Sequence, residues 1–454
     1  MSTAKRTSVV RDPVHGDVEL SPEELRLLDT REMQRLRGVK QLGSACLVFP
    51  GATHTRFDHS IGTLHLCGRM IEAINKAAAV APRESLGIGA EEARVIRAAA
   101  LLHDVTHIPF GHNVEDQAGL MLRHDSPQRF ERMLGPGTEL GRVLRDLGLA
   151  RDVASVLSGP AGAAPAYWSQ INSDTICSDI LDYLQRDAHF TGLKLAIDPR
   201  ILSYFRIDRA SGNLYVDLAK HGLLREDTLS EIVRLLEARY HFSERVYYHH
   251  AKVSAGALIA RAVTLLLAAN AVREEDFYDA TDASLLVLLT ARGERLGGTS
   301  GRQVVSLVER FEARRLPKRV CVFPRRANLD VQTSLVERYF AKDRQRERAE
   351  VEGRIQDLVR FATGKQIDIL VTCPARSMQL KEAATHVRWP GEDGVRPLSH
   401  YSDRVPRLAD LEQSYRDLWK FYVFADETDP RLLAKIGEIA AGEFPGATNV
   451  YKPG

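Results

Sequence analysis

The stretch LLHDVTHIPFGH, Leu101 to His112, holds three histidines and an aspartate in an otherwise apolar and small-residue setting. Burying such groups is unfavourable unless each is paired or bound to a metal. On a helix, His103 and His107 would stand four residues apart and share a face, with Asp104 beside them. Pro109 and Gly111 then break the helix, and His112 follows the break. Imidazole and carboxylate together suit Mg, Mn, Fe, Co or Zn. A single histidine on a helix is more often a core or surface residue than a ligand, so His103-Asp104 needs support from elsewhere. Upstream, TRFDHSIGT offers His59 at a helix start. Downstream, SDILDYLQRDAHFTG offers Asp179, Asp182 and Asp187 on a helix.

The elements that must hold these groups read as mainly helical. Residues 17–43 are expected to be helical, with Ser21-Pro22-Glu23-Glu24 as a start signal: an N-cap serine, proline first, acids in the first turn. DHSIGTLHLCGRMIEAINKAA, AEEARVIRAAALLHDVTH, DTICSDILDYLQRDAHF and the long run through HFSERVYYHHAKVSAGALIARAVTLLLAA all carry apolar residues at helical spacing. After about residue 315 the texture changes, and KRVCVFP, QIDILVTCP, THVRWP and KFYVFAD alternate as short β-rich runs with helices. The expectation is a mainly α chain: a helical core over 1–310 and a smaller C-terminal α+β lobe over 311–454.

The 454 residues suffice for a large core, and 44% hydrophobic with 27% charged residues is an ordinary globular composition. No run is expected to reach the roughly 18 apolar residues of a membrane helix. MSTAKRTSVVRDPVHG has no apolar signal core, which predicts a mature cytoplasmic chain without a membrane partner. Cys46, Cys67, Cys177, Cys321 and Cys373 form no C-x-x-C pair, arguing against a disulfide framework or zinc ribbon. A net charge of +2 gives no general pull toward nucleic acid. The local exception, 308–360 with RFEARRLPKRV and AKDRQRERAE, reads first as a solvated helical face, nucleic-acid binding being the weaker alternative.

The order His…His-Asp…Asp resembles the HD-domain metal phosphohydrolases. Its flanks resemble one branch closely, the HD-domain deoxynucleoside triphosphate triphosphohydrolases: the catalytic core of the animal SAM-and-HD-domain enzyme and its bacterial relatives. The matching segments are DPVHGDVEL, QRLRGVKQLGSACLVFPGATHTRFDHSIGT, LLHDVTHIPFGH, DYLQRDAHFTG and ARYHFSERVYYHHAKV, with IDILVTCP and THVRWP in the tail. The resemblance implies an HD-domain core and a divalent metal ion held by His59, His103, Asp104 and Asp179. Asp179 lies four residues before Tyr183, as the family's ligand does. Asp182 is then expected to point away, and Asp187 falls where the family reads the sugar hydroxyl.

By the same resemblance, His107 and His112 stand beside the α-phosphate. His112 is the expected acid for the leaving sugar oxygen, with Glu115 and His124 paired as an orienting group or base. Such an ion acidifies water and polarises a phosphoryl oxygen, while a carboxylate fixes an imidazole tautomer. Arg56 matches a phosphate-gripping arginine, a role suited to a guanidinium fork. Gln41, Leu42 and Tyr183 match sugar-side residues, and Arg239, Tyr247 and His249 a phosphate- and sugar-contacting set. Asp29, Gln34 and Arg37 match residues that read a guanine effector, whereas SYFRIDRASGNLYVDLAKHG lacks most basic residues of the neighbouring effector site. One departure is Ile180, where the family has a lysine or arginine reaching the phosphates. The implied activity is hydrolysis of deoxynucleoside triphosphates to deoxynucleoside and inorganic triphosphate by a homo-oligomer, dimer or tetramer, under nucleotide effectors. Two alternatives stay open: another HD chemistry on a monophosphate, cyclic nucleotide or alarmone, and a nucleotide-sensing or nucleic-acid-binding protein.

Overall fold

The computed structural model describes residues 8–115, 120–160, 163–342, 344–373 and 384–453. It opens on an antiparallel hairpin, β1 (Ser8–Asp12) and β2 (Gly16–Leu20). The expected helix over 17–43 therefore begins only at α1 (Pro22–Leu28). Val18 and Leu20 are buried while Asp17 and Glu19 are exposed, the two-residue period of a strand. Ser21 and Glu24 form a reciprocal capping box that starts α1. Another, Thr55 with Asp58, starts the long α2 (Arg56–Val80) and fixes the entry of the turn that carries His59.

The helix α3 (Ala90–Leu102) packs on α2 and delivers His103 and Asp104 at its end. It stops there, so His103 and His107 do not share a helical face. Pro109 disfavours the helical region for Ile108, and Phe110 takes φ of +53°. The carbonyls of Val105 and His107 find a substitute donor in the Arg35 guanidinium, at 2.9 and 2.8 Å. After the short α4 (Gly111–Glu115), α5 (Ser178–Thr191) packs against α2 and brings its acids to the same place. Two short strands follow, β3 (Phe205–Ile207) and β4 (Leu214–Asp217), and then α6 (Glu226–Phe242). A π turn over Ser243–Tyr247 leads into α7 (His250–Ala268), α8 (Asp282–Leu296) and α9 (Gly298–Glu312).

Contrary to the sequence expectation, α7 is long and apolar enough to cross a membrane, with mean hydropathy 1.6 over its best window. Its Leu258, Ile259, Ala262, Val263 and Leu266 are buried in a cluster shared with α8 and α9, the packing of a core helix. The C-terminal part contains β5 (Lys318–Pro324), α10 (Gln345–Thr363), β6 (Ile369–Thr372), β7 (His386–Arg388), β8 (Arg396–Pro397) and β9 (Lys420–Ala425). One sheet runs β5-β9-β6, all antiparallel. The other runs β8-β7-β4-β3, with β4 and β7 parallel. The fold is mainly helical with small sheets, and the second sheet joins strands from both sides of residue 311. One apolar cluster likewise runs from Leu42 to Phe444. The basic 308–360 segment is locally paired, with Arg346 on Glu350, Arg354 on Glu443 and Arg310 on Asp368 and Asp426.

Candidate active site

Three helix ends meet behind the hairpin. The first turn of α2 supplies His59, the end of α3 supplies His103 and Asp104, and the first turn of α5 supplies Asp179. His59 Nε2 lies 3.1 Å from His103 Nε2 and 3.0 Å from Asp179 Oδ1. His103 Nε2 is 3.4 Å from Asp104 Oδ1 and 3.8 Å from Asp179 Oδ1. Donors sharing one ion at about 2.0–2.2 Å stand roughly 3–3.5 Å apart; His59, His103 and Asp104 are close enough together to hold a divalent cation, and Asp179 approaches the cluster from the His59 side. Their charge agrees. Burial opposes a proton on His59, yet the bonds to Asp179 and Asp182 push it up to about 10. Burial would likewise raise Asp104, but Arg56 and His103 hold it well below the usual carboxylate range. The site is a buried well of negative potential, and a bound metal would take the place of that proton.

Asp182 does not point away. It offers nothing to the ligand cluster but receives the other nitrogen of His59, with Nδ1 2.7 Å from Oδ2. Residues 179 and 182 are three apart on α5 and so share a face, one reaching the metal position and the other passing behind the imidazole. The sequence reading named Asp182 but turned it away from the site, and it missed His15, Arg186 and His54. Their only signal was that each is costly to bury alone.

Beyond Asp104 a second group forms. His107 Nε2 lies 3.2 Å from Asp104 Oδ1, and the His107 ring stacks on His124 with centroids 3.8 Å apart. Glu115 Oε2 accepts from the His124 backbone at 3.1 Å and lies 2.9 Å from His124 Nδ1, while its other oxygen accepts from Arg129. Although burial favours the neutral acid, His124 and Arg129 keep Glu115 ionised, far below the usual range. His112 completes the group, its ring 5.1 Å from that of His124. Its side chain is open to the cleft, and the protein packed around it, then His124 and Arg56, shift the imidazole downward.

These residues open on a cleft of about 820 Å³ lined also by Gln41, Leu42, Arg56, Tyr183, Asp187, Arg239 and Tyr247. Arg56 Nη1 donates to Asp104 at 2.6 Å, placing a guanidinium beside the metal position. Lys40, Arg123 and Lys252 line the cleft as well. Arg239 Nη1 is buried and finds no partner among the described residues. The π turn aims Tyr247 inward, where its hydroxyl meets Asp187. His249 is not among the lining residues: it caps α7, accepting from the Ala251 amide at 3.3 Å, and stacks on His250. Ile180 lies in the apolar core instead of the cleft. Asp29, Gln34 and Arg37 group elsewhere at the surface. Gln34 Oε1 accepts from Arg37 Nε at 2.8 Å, and Arg37 covers the Phe57 ring.

Two family models match the chain. The HD domain family matches residues 56–187, and the HD associated region matches 218–441. An uncharacterized protein of Methanocaldococcus jannaschii is 29% identical over 283 residues, covering 62% of this chain and 54% of that protein. Deoxynucleoside triphosphate triphosphohydrolase SAMHD1 of Gallus gallus is 29% identical over 277 residues, covering 54% of this chain and 43% of the relative. Uncharacterized protein YwfO of Bacillus subtilis is 32% identical over 263 residues, covering 56% and 54%. The chain thus spans about half the length of these relatives. A crystal structure of a hypothetical protein from Aquifex aeolicus superposes over 96% of this chain with a TM-score of 0.65 at 23% identity, a likeness of fold.

Proposed function

This chain belongs to the HD-domain family, and on that basis we propose that it is a metal-dependent hydrolase of deoxynucleoside triphosphates, releasing deoxynucleoside and inorganic triphosphate. One observation carries the reading: the His59/His103/Asp104/Asp179 cluster faces a cleft of nucleotide size that holds both cations and the Asp187–Tyr247 pair. A divalent ion held by the four ligands supplies an acidified water and a polarised phosphoryl oxygen.

The protein's own groups do the rest. Arg56 and Arg239 grip phosphate oxygens. His124, its Nδ1 hydrogen directed at Glu115, presents Nε2 toward the water side and takes up its proton. The water oxygen joins the α-phosphorus as the bond to the 5′ oxygen breaks. His112 stands on the leaving-group side, where the triphosphate's charge favours a proton on its imidazole, and that proton goes to the departing 5′ oxygen. Asp187 receives the 3′ hydroxyl, and the Tyr247 ring fills the space a 2′ hydroxyl would need. The enzyme acts as a dimer or larger assembly with Asp29, Gln34 and Arg37 open to a nucleotide effector, which light scattering with and without nucleotides tests.

The decisive experiment is product analysis by ion chromatography for a panel of nucleotides with Mn, Mg or Co. In labelled water the label is expected in triphosphate and not in the nucleoside. Pyrophosphate or phosphate as first product moves the chain to the alternative HD chemistries.

A further inference from the structure

His59 has two ring nitrogens, and only one faces the ligand cluster. The other, Nδ1, is engaged by Asp182, which is fully buried and shares four contacts. Its Oδ2 meets His59 Nδ1 at 2.7 Å and Arg186 Nε at 2.8 Å. Its Oδ1 meets Arg186 Nη2 at 2.9 Å and, at 2.6 Å, His15 Nε2. His15 is not part of the helical core. It sits in the turn between β1 and β2, and Asp12 builds that turn: Asp12 Oδ1 accepts from the Val14 and His15 amides at 2.8 Å each. The second oxygen of Asp12 accepts from Arg186 Nη1 at 2.8 Å. The hairpin therefore docks by two polar handles, Asp12 on Arg186 and His15 on Asp182. A two-stranded hairpin is marginal on its own, so these handles matter to its order. Gly62, almost one turn beyond His59 on α2, keeps the space open, because a β-carbon there would strike both Asp182 and Arg186.

We propose that this hairpin is a working part of the metal centre: His15 is a positioning residue that acts through Asp182 on His59, so that hairpin docking and ion binding favour each other. The inference rests on the reading of His59, His103, Asp104 and Asp179 as the ligands. The chemistry is that of an outer-shell partner. A carboxylate behind a ligating imidazole fixes its tautomer and ring orientation, and the carboxylate itself needs fixing. With His15 gone, Asp182 still has Arg186 on both oxygens but loses its second partner on Oδ1, so the carboxylate is less tightly held against His59. Coupling of this kind is reciprocal, so the ion must also order the hairpin.

The test titrates Mn(II) alone into the metal-stripped chain by calorimetry, for the unsubstituted protein, His15→Phe, His15→Gln and Asp104→Ala. In parallel, amide hydrogen exchange is followed over residues 8–20 with and without Mn(II). His15→Phe is expected to weaken Mn(II) binding about 10–100-fold, the range typical of lost outer-shell partners. His15→Gln, which keeps an N–H donor, should recover most of that loss. Exchange over 8–20 should slow when Mn(II) is added to the unsubstituted chain. If His15→Phe binds Mn(II) as tightly as the parent while Asp104→Ala loses it, the inference is overturned and the metal site stands. If Asp104→Ala also binds normally, the ligand assignment falls and takes the inference with it. Should His15→Phe fail to fold, exchange in the unsubstituted chain decides: slower supports the coupling, unchanged overturns it.

Discussion

Tyr247 donates its phenolic hydrogen at 2.6 Å to Oδ2 of Asp187, which is on the same helix as Asp179. The other oxygen of Asp187 lies 2.8 Å from His54 Nε2, and the His54 ring stacks on Phe190. The carboxylate is held from both sides, yet it lines the cleft. The proposed function makes it the acceptor for a substrate hydroxyl. Asp187→Ala should lower kcat/KM for a deoxynucleoside triphosphate about tenfold to a hundredfold, from a charged hydrogen bond worth roughly 1.5–3 kcal/mol. Tyr247→Ala should narrow the preference for deoxy- over ribonucleotides. Parallel kinetics on a matched pair check both, and an unchanged ratio removes Tyr247 from sugar selection.

Asp104→Ala and His103→Ala should each lose the metal ion and all hydrolysis while keeping their circular dichroism. Asp104 touches both the ligand cluster and Arg56, so its loss removes an anion from a site already crowded with donors. Plasma mass spectrometry on the purified variants measures the ion directly. Stoichiometric metal in the double variant rules out this site.

His107 makes stability depend on pH in a definite direction. It is buried, and burial, then Arg56 and His124, holds its imidazole well below the ordinary 6.5 in the folded chain. Below that ordinary value the unfolded chain binds the proton and the folded chain does not, so stability rises with pH up to about 6.5 and levels off above it. Glu115 is lowered too, for the different reason that His124, His107 and Arg129 overcome its burial, and its contribution is also lost as pH falls. His107→Gln should therefore flatten the stability profile below about pH 6.5. Denaturant midpoints across pH 4–8 read this, and an unchanged slope shows that His107 does not carry the dependence.

How much was legible in the sequence follows from what each signal depends on. That His59, His103, Asp104 and Asp179 would come together was legible through the resemblance to HD-domain proteins, while the apolar flanks made those polar groups conspicuous. Glu115 with His124 was legible for the same reason. The β1–β2 hairpin was not, since Ser21-Pro22-Glu23-Glu24 is so strong a helix start that it drew the preceding strand into the helix. The end of α3 at Leu102 was hidden because Arg35, far away in sequence, satisfies the carbonyls that make the break possible. Asp182, His15 and His54 gain their roles from partners on other elements, which spacing along one element cannot reveal. His249 was drawn into the site by lying two residues from Tyr247. The π turn sets the direction of this segment, and only Tyr247 faces the cleft.

The last prediction concerns Ile180, the position where a basic residue was expected to complete the phosphate grip. Ile180 is one residue past Asp179 on α5, roughly 100° further round the helix. It is 5% exposed, in the cluster that also contains Cys177, Leu181 and Leu184. A lysine there would begin in the core, giving up the roughly 1.5–3 kcal/mol of a buried isoleucine before any cost of charge. Ile180→Lys should therefore lower the denaturant midpoint and leave the KM for a triphosphate no better. On the proposed reading the grip comes from Arg239, whose Nη1 is buried without a partner among the described residues. That unmet donor is costly in the free protein and would be satisfied by a phosphate oxygen. Arg239→Ala should raise KM by about tenfold or more with metal content unchanged, since one charged hydrogen bond is worth roughly 1.5–3 kcal/mol. If Ile180→Lys instead folds with parental stability and tightens triphosphate binding while Arg239→Ala is silent, the phosphates lie beside Ile180 and Arg239 has been given the wrong role.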